Sequence, residues 1–360
     1  MRPLVATIDL AALRHNYAVA HRCAPGRAAF AVVKANAYGH GVREVVAALA
    51  DADGFAVCCL EEARAVREVN AEARLLLLEG CFQAAEYVEA AALGLDVAVH
   101  NAQQAEALLS AALSQPLNVW LKLDSGMHRL GFAPADLRQW HGRLSGTANV
   151  AELNLLGHFA CADERGHELN EQQIETFLGL LDLDFDQRSL ANSAALLTIP
   201  AAHMDWQRPG IMLYGATPFA ELSARQLGLR PVMTLTAQVI AVRDVPAGES
   251  VGYGGAWVAQ RPSRVGTVSC GYADGYPRHA PPGTEVVVRG QRVPLAGRVS
   301  MDMLSIDLTD VADAQVGDVV ELWGEQLPVD ELAQRCGSIG YELLTKVTGR
   351  VPRLYIGTDE

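Results

Sequence analysis

Apolar and polar positions follow two different rhythms along the chain. From about residue 27 to 215, short, nearly continuous apolar runs alternate with longer stretches of helical periodicity. The runs are AFAVVKA (29–35), GFAVCC (54–59), RLLLLEG (74–80), DVAVH (96–100), LNVWLKLD (117–124), ELNLLGHF (152–159), RSLAN (188–192) and GIMLYG (210–215). Between them, VREVVAALA, LEEARAVREV, AAEYVEAAAL, NAQQAEALLSAAL and NEQQIETFLGLL bring apolar residues back at helical spacing. Strands apolar on both faces and separated by helices predict a parallel sheet covered on both sides. Eight such strands is the number that closes a (β/α)8 barrel, with an open doubly wound sheet as the alternative.

After about residue 225 the rhythm changes. RPVMTLTAQVIAVRDVPAGE, RVGTVSCG, TEVVVRG, VPLAGRVSMDMLSIDLTD and GDVVELWG read as strands with Gly, Pro and Asp at the turns, and only ELAQRC reads as helix. This predicts a mostly antiparallel β domain. The expected organisation is therefore a barrel over residues 11–225 and a β domain over 226–360, with the boundary between Ala220 and Arg230. LVATIDL (4–10) is a strand ahead of the first barrel helix, expected to join the second domain's sheet.

Composition narrows the class. At roughly 150 residues per domain, a chain of 360 residues accommodates two domains. Lys plus Arg total 29 and Asp plus Glu 42, so 29 − 42 gives a net charge of −13, which disfavours a nucleic-acid binder. No run reaches the 18 or more apolar residues of a membrane helix, and Asp9 and Arg14 interrupt what would be a leader's apolar region. The seven cysteines form no CxxC pair, and the ten histidines include no HExxH cluster. Reduced thiols, a cytoplasmic location and no dedicated metal site are the expectation.

A barrel builds its chemistry at the carboxyl ends of its strands. That rule selects Lys34, Lys122 with Asp124, His158 and Asn192 with Ser193, and beside them Arg208 just before the final strand. Lys34 alone would be an ordinary salt-bridged or snorkelling lysine. Its context, KANAYGHG, adds a tyrosine four residues on and glycines that permit close backbone approach. If a helix begins here, Lys34 and Tyr38 lie one turn apart. A desolvated lysine forms a Schiff base with an aldehyde, and pyridoxal phosphate is the usual aldehyde.

KANAYGHG resembles the cofactor-lysine motif of the alanine racemases. WLKLDSGMHRLGF (120–132), LLGHFACADE (155–164), LANSAA (190–195), RPGIMLYG (208–215), VGYG (251–254), GYADGYPR (271–278), GRVSMDM (297–303) and GSIGYELL (337–344) resemble further segments of that family, in family order and over nearly the whole chain. The wording of QPLNVWLK and LYGATPF leans towards its catabolic members.

The resemblance implies a pyridoxal-phosphate enzyme that interconverts L- and D-alanine. Lys34 would hold the cofactor and act as one base, and Tyr253, from the partner subunit of a homodimer, as the other. Proton removal from one face and return to the other requires acid/base groups on both sides. Arg208 would donate to the pyridine nitrogen, with His158 packed beside it. Arg129 would contact the phenolic oxygen of the cofactor and the substrate carboxylate, a task suited to a planar donor fork. Lys122 falls where several members carry a carbamylated lysine; an unmodified lysine paired with Asp124 is the alternative. The phosphate would take Tyr38, Ser193, the amides of Gly210 and Ile211, and Tyr341, with Asn192 or Ser193 capping the helix that begins at NSAALL. Tyr272, Met301 and Asp302 would frame the substrate from the partner subunit. The other readings are a broader-specificity or serine racemase, a barrel-type amino-acid decarboxylase and a noncatalytic cofactor-binding protein; Arg208 weighs against the decarboxylase, and Tyr253 with Arg129 against the noncatalytic protein.

Overall fold

A computed structural model describes residues 2–358; Met1 and residues 359–360, the outer ends of the two expected terminal segments, lie outside them. The chain divides into two units. One comprises Arg14–Ala37 and Val42–Leu213, the other Met1–Leu13, Tyr38–Gly41 and Tyr214–Glu360.

The first unit is a closed barrel of eight parallel strands. Strand β1 (Leu4–Asp9) belongs to the other unit, so the barrel runs through β2 (Ala28–Val32), β3 (Gly54–Val57), β4 (Arg74–Leu77), β5 (Asp96–Val99), β6 (Leu117–Lys122), β7 (Val150–Leu156), β8 (Arg188–Asn192) and β9 (Trp206–Arg208). β2 pairs with β9 to close the ring. Strands such as Gly54–Val57 and Asp96–Val99 are buried along their whole length, which is why they read as unbroken apolar runs. Seven of the eight strands fall on the expected runs. The eighth does not: it is Trp206–Arg208, and the apolar GIMLYG folds as a 3-10 turn over Ile211–Tyr214. Pro209 has no N–H to continue a ladder, so pairing stops at Arg208 and only its carbonyl is used, by the amide of Val32 at 3.0 Å.

Aromatic rings and a charge network fill the amino-terminal end of the barrel. Phe30 stacks on Trp206 at 4.1 Å between centroids. Arg74, Asp96 and Glu152 lie at the starts of their strands, with Arg74 Nε donating to Asp96 at 2.7 Å and Arg74 Nη2 to Glu152 at 2.5 Å. Trp120 Nε1 also donates to Asp96 at 2.7 Å. A salt-bridged plug at this end reads as stability, which leaves the carboxyl end for chemistry.

The second unit is built on an eight-stranded sheet. β10 (Met233–Val245) is its long axis, pairing antiparallel with β1, with β13 (Ser263–Val268) and with β17 (Val319–Trp323). β18 (Arg353–Ile356) adds to β1 in the one parallel pair. β14 (Glu285–Val288), β15 (Gln291–Pro294) and β16 (Leu304–Asp307) complete it. A separate two-stranded hairpin pairs β11 (Ser250–Val251) with β12 (Trp257–Val258). The segment expected at residues 4–10 thus lies in this sheet. Besides the expected helix (Val329–Arg335), a second one, Gly340–Thr345, carries Tyr341.

Candidate active site

Five of the singled-out residues sit at the carboxyl ends of barrel strands. Lys122, Asn192 and Arg208 are the last residues of β6, β8 and β9, and Lys34 and His158 each follow a strand by two residues. The barrel's geometry thus brings residues from five strands to one end.

The backbone after Lys34 does not enter a right-handed helix. Ala35, Asn36, Ala37 and Tyr38 all have φ between 52 and 54°, a complete left-handed turn without glycine. Left-handed backbone costs an L-residue roughly 1–2 kcal/mol, so the turn survives only because hydrogen bonds over-determine it. The amide of Ala37 donates to Val33 O at 2.8 Å, that of Val42 to Asn36 Oδ1 at 2.9 Å, and that of Ala35 to Glu62 Oε1 at 2.6 Å.

Tyr38 is buried in the second unit, its ring stacked on Tyr214 at 4.6 Å and tilted against Tyr341 at 6.1 Å. Burial raises its phenol pKa, so it stays a neutral hydroxyl. Gly39, with φ 83°, follows directly; a Cβ there would sit 2.3 Å from the carbonyl oxygen of Leu344.

Electrostatically, the barrel end is cationic. Arg208 is buried, and among the described residues its partners are neutral: it donates to Ser189 Oγ, to Gly157 O at 2.5 Å and to Leu190 O at 3.1 Å. Burial lowers its pKa to about 9, which still leaves it charged at neutral pH. Lys122 is also buried; burial first, then Arg208, Arg129 and Lys34, lower its pKa to about 8. Burial and the same cations hold His158 well below its ordinary value, so it is neutral at pH 7. A group of cations whose hydrogen-bond partners among the described residues are neutral acceptors is a place for an anion.

Arg129 lies on an exposed loop after β6. The loop is clasped at its base: Asp124 N donates to Phe132 O at 2.9 Å and Phe132 N to Lys122 O at 2.8 Å. Gly131 is required there, since a Cβ would lie 2.5 Å from Asp124 N. Asp124 accepts from the amides of Gly126 and His128, both at 3.0 Å, and its other oxygen lies 3.0 Å from His128 Nδ1. It organises the Arg129 loop and forms no hydrogen bond with Lys122 among the described residues.

Asn192 caps the helix Ser193–Thr198 by accepting from the amide of Ala195 at 3.0 Å. Ser193 Oγ is buried and accepts from Gly210 N at 2.8 Å and more weakly from Met212 N at 3.4 Å. A hydroxyl and the amide before Ile211 therefore already lie side by side.

The remaining candidates all belong to the second unit and are open to solvent. Tyr253 is 72% exposed at the tip of the β11–β12 hairpin, and Met301 is 54% exposed. Tyr272 opens a 3-10 turn whose first two amides donate to Ser300 O and Met301 O, each at 3.0 Å. Asp302 pairs with Arg350 at 2.6 Å. Sequence reasoning missed Glu62, Ser189, Arg2 and Asp274, whose partners are distant in the chain or are backbone atoms.

Two family models, "Alanine racemase, N-terminal domain" and "Alanine racemase, C-terminal domain", match residues 8–218 and 232–355. The chain belongs to the alanine racemase family. It is similar to the alanine racemase of Stutzerimonas stutzeri, 73% identical over 99% of this chain and all of that one. It is also similar to the biosynthetic alanine racemase of Pseudomonas aeruginosa, at 70% identity over 99% of both chains; the crystal structure of that enzyme superposes with a TM-score of 0.97. The catabolic alanine racemase of the same organism is 51% identical over 99% of this chain and all of that one. Over the whole chain the likeness therefore runs towards the biosynthetic form, against the leaning of QPLNVWLK and LYGATPF. The solved alanine racemase of Bartonella henselae, 30% identical over 99% of this chain and all of that one with a TM-score of 0.90, carries covalently bound pyridoxal phosphate.

Proposed function

We propose that this chain interconverts L- and D-alanine with pyridoxal 5'-phosphate held on Lys34, as a homodimer in the cytoplasm. The observation that carries the cofactor assignment is the donor set at the barrel's carboxyl end: a lysine two residues past a strand, a buried arginine with no acidic partner among the described residues, and a hydroxyl beside the Gly210 amide. A phosphate and a ring nitrogen that accepts a hydrogen bond satisfy such a set, and a cationic substrate alone does not. When bound, pyridoxal phosphate supplies an aldehyde that joins an amine and a ring that takes up electron density from the α-carbon.

The chain's own groups do the rest. Arg208, charged and fixed by one hydroxyl and two carbonyls, offers an N–H to the pyridine nitrogen and leaves no proton there to deepen electron withdrawal. Limited electron withdrawal favours return of the α-proton over transamination or decarboxylation. His158, neutral, packs beside it without adding charge. Ser193, Gly210 and Ile211 offer phosphate donors in the barrel; the family resemblance adds Tyr38 and Tyr341. Arg129 binds the substrate carboxylate and the phenolic oxygen of the cofactor. Lys34 Nζ moves the proton on one face of Cα and Tyr253 Oη on the other.

Tyr253 stands exposed on a hairpin, as a residue presented to a second copy of the chain does. Tyr272 and Met301, exposed in the same unit, and Asp302 would then frame the substrate of the neighbouring subunit. The greater likeness to the biosynthetic relative supports D-alanine supply as the physiological direction.

The test is an assay of purified holoenzyme across L-amino acids in deuterated water. Alanine is expected to exchange its α-proton and invert, and serine to do so more slowly, because one small group discriminates by only ~1–3 kcal/mol. Cofactor binding without α-proton exchange would overturn the reading in favour of a binding protein.

A further inference from the structure

Lys34 immediately precedes the left-handed turn, and that turn must be held to aim its side chain. Two of the bonds that hold it are local, from Ala37 to Val33 and from Val42 to Asn36. The third comes from another element. Glu62, half-buried on the helix Leu60–Arg67, accepts the amide of Ala35, the residue next to Lys34, at 2.6 Å. Its other oxygen accepts the amide of Cys58 at 3.0 Å and the Cys58 thiol at 3.2 Å. Burial and the bond to Glu62 raise the Cys58 thiol pKa, which keeps it protonated and a donor.

The carboxylate is therefore a strut with both ends occupied. One end is tied to the carboxyl end of β3, whose residues are wholly buried, and the helix behind it is anchored by buried Leu60, Ala63 and Val66. The far end holds the first amide of the strained turn.

We infer that Glu62 is a positioning residue for Lys34: it fixes the first peptide of the left-handed turn and so sets the direction from which the lysine amine reaches its cofactor and the α-proton. It touches neither. The inference rests on the racemase reading for its kinetic consequence, but its structural part stands apart from it. Displacing a reacting group by about 1 Å costs up to about 100-fold in rate, so loss of the strut lowers kcat while the groups that bind substrate stay in place.

The experiment compares wild type with Glu62→Ala, Glu62→Gln and, as a control, Glu61→Ala, the exposed neighbouring carboxylate. Amide hydrogen exchange is followed over residues 35–42 in the cofactor-free protein, and kcat and KM for alanine in the holoenzyme. Glu62→Ala is expected to speed exchange across 35–42 alone and to lower kcat about 10- to 100-fold with KM little changed. Glu62→Gln, which keeps one acceptor for Ala35, falls between, and it carries the test if the alanine variant fails to fold. Glu61→Ala matches wild type. Unchanged exchange at 35–42 with unchanged kcat in Glu62→Gln and Glu62→Ala overturns the inference. Equal losses throughout the barrel show a merely structural role and overturn it as well. A wild type that leaves the α-proton of alanine untouched sinks the racemase reading instead, and the exchange data still decide whether Glu62 holds the turn.

Discussion

Arg2 and Asp274 meet fork to fork, Nη1 to Oδ1 at 2.5 Å and Nη2 to Oδ2 at 2.7 Å, across 272 residues of sequence. Asp274 is wholly buried, and its Oδ2 also accepts the amide of Gly271, the residue before Tyr272. Arg2 reaches on to the carbonyl of Asp302 at 2.6 Å. One ion pair thus ties together the turn bearing Tyr272 and the Met301–Asp302 loop. Asp274→Asn weakens the bidentate pair and leaves Arg2 and Arg350 less well balanced, so unfolding should show a loss of about 1–3 kcal/mol. In an alanine assay the same variant should also raise KM, because both substrate-framing segments lose their common anchor. Stability equal to wild type in urea titration would show that a neutral amide at this position holds Arg2 as firmly as the carboxylate does.

Lys122 offers a chemical test. With its pKa lowered to about 8, a sizeable fraction of the buried amine is neutral near neutral pH and can attack carbon dioxide. The nitrogen forms a bond to carbon and releases a proton, giving a carbamate whose negative charge balances Arg129 and Arg208. Enzyme supplied with carbon-13 bicarbonate should show a carbamate resonance that Lys122→Ala lacks, and removal of bicarbonate should lower activity reversibly. An unmodified lysine behaves differently with pH. Its folded pKa of about 8 lies below the ordinary 10.5, so the unfolded chain binds the proton more tightly and stability climbs between those values. A carbamate shows no such climb, and comparison with Lys122→Met isolates it.

The strands of the barrel were legible because burial on both faces leaves a strand's middle no polar position to spend, as Gly54–Val57 and residues 75–77 show. The eighth was misplaced because Trp206–Arg208 is short and two of its three residues are polar, while the apolar run beyond Pro209 is buried by a turn. Lys34, His158 and Asn192 were legible through strand ends alone, whereas Arg208, expected just before the final strand, is the last residue of it. The left-handed turn was not legible: nothing in Ala35–Tyr38 marks positive φ, and one of the bonds that hold the turn comes from Glu62, 27 residues away from Ala35. Arg2 was invisible for the same reason, its partner being fixed by the pairing of β1 with β10 and not by local pattern.

His158 should make the protein acid-sensitive. Its folded pKa lies well below the ordinary 6.5, from burial first and then from Arg208, Lys122, Arg129 and Lys34. As pH falls below about 6.5, the unfolded chain takes up a proton that the native state refuses, so stability is lost progressively down to the folded pKa. Denaturation of wild type and His158→Gln between pH 7 and pH 5 should converge as the pH drops. Parallel curves would show that the ring takes a proton in the folded state without penalty.

Arg208 is proposed to govern which reaction the cofactor performs. Among the described residues its partners are one hydroxyl and two carbonyls, so its charge meets no acidic group there and would hold the pyridine nitrogen as an acceptor. Arg208→Glu replaces a donor by a group that shares a proton with that nitrogen, and electron withdrawal rises. Pyruvate formed per racemisation event should therefore increase while racemisation itself slows. A variant that loses racemisation with no rise in pyruvate per turnover would show that Arg208 only packs the site.

The sharpest test concerns where the second base comes from. Lys34 follows a barrel strand by two residues, whereas Tyr253 stands 72% exposed on a hairpin tip of the other unit. Lys34→Ala and Tyr253→Phe each remove one proton-transfer group, a loss of about 100- to 10,000-fold for general acid–base catalysis. If each site takes its lysine from one chain and its tyrosine from the other, a hybrid of the two variants contains one site with both groups intact. The chain bearing Tyr253→Phe contributes Lys34 to that site, and the chain bearing Lys34→Ala contributes Tyr253. Co-expressing differently tagged copies and isolating the mixed dimer should then restore racemisation well above either parent. A mixed dimer as inactive as its parents would mean that lysine and tyrosine serve the same chain.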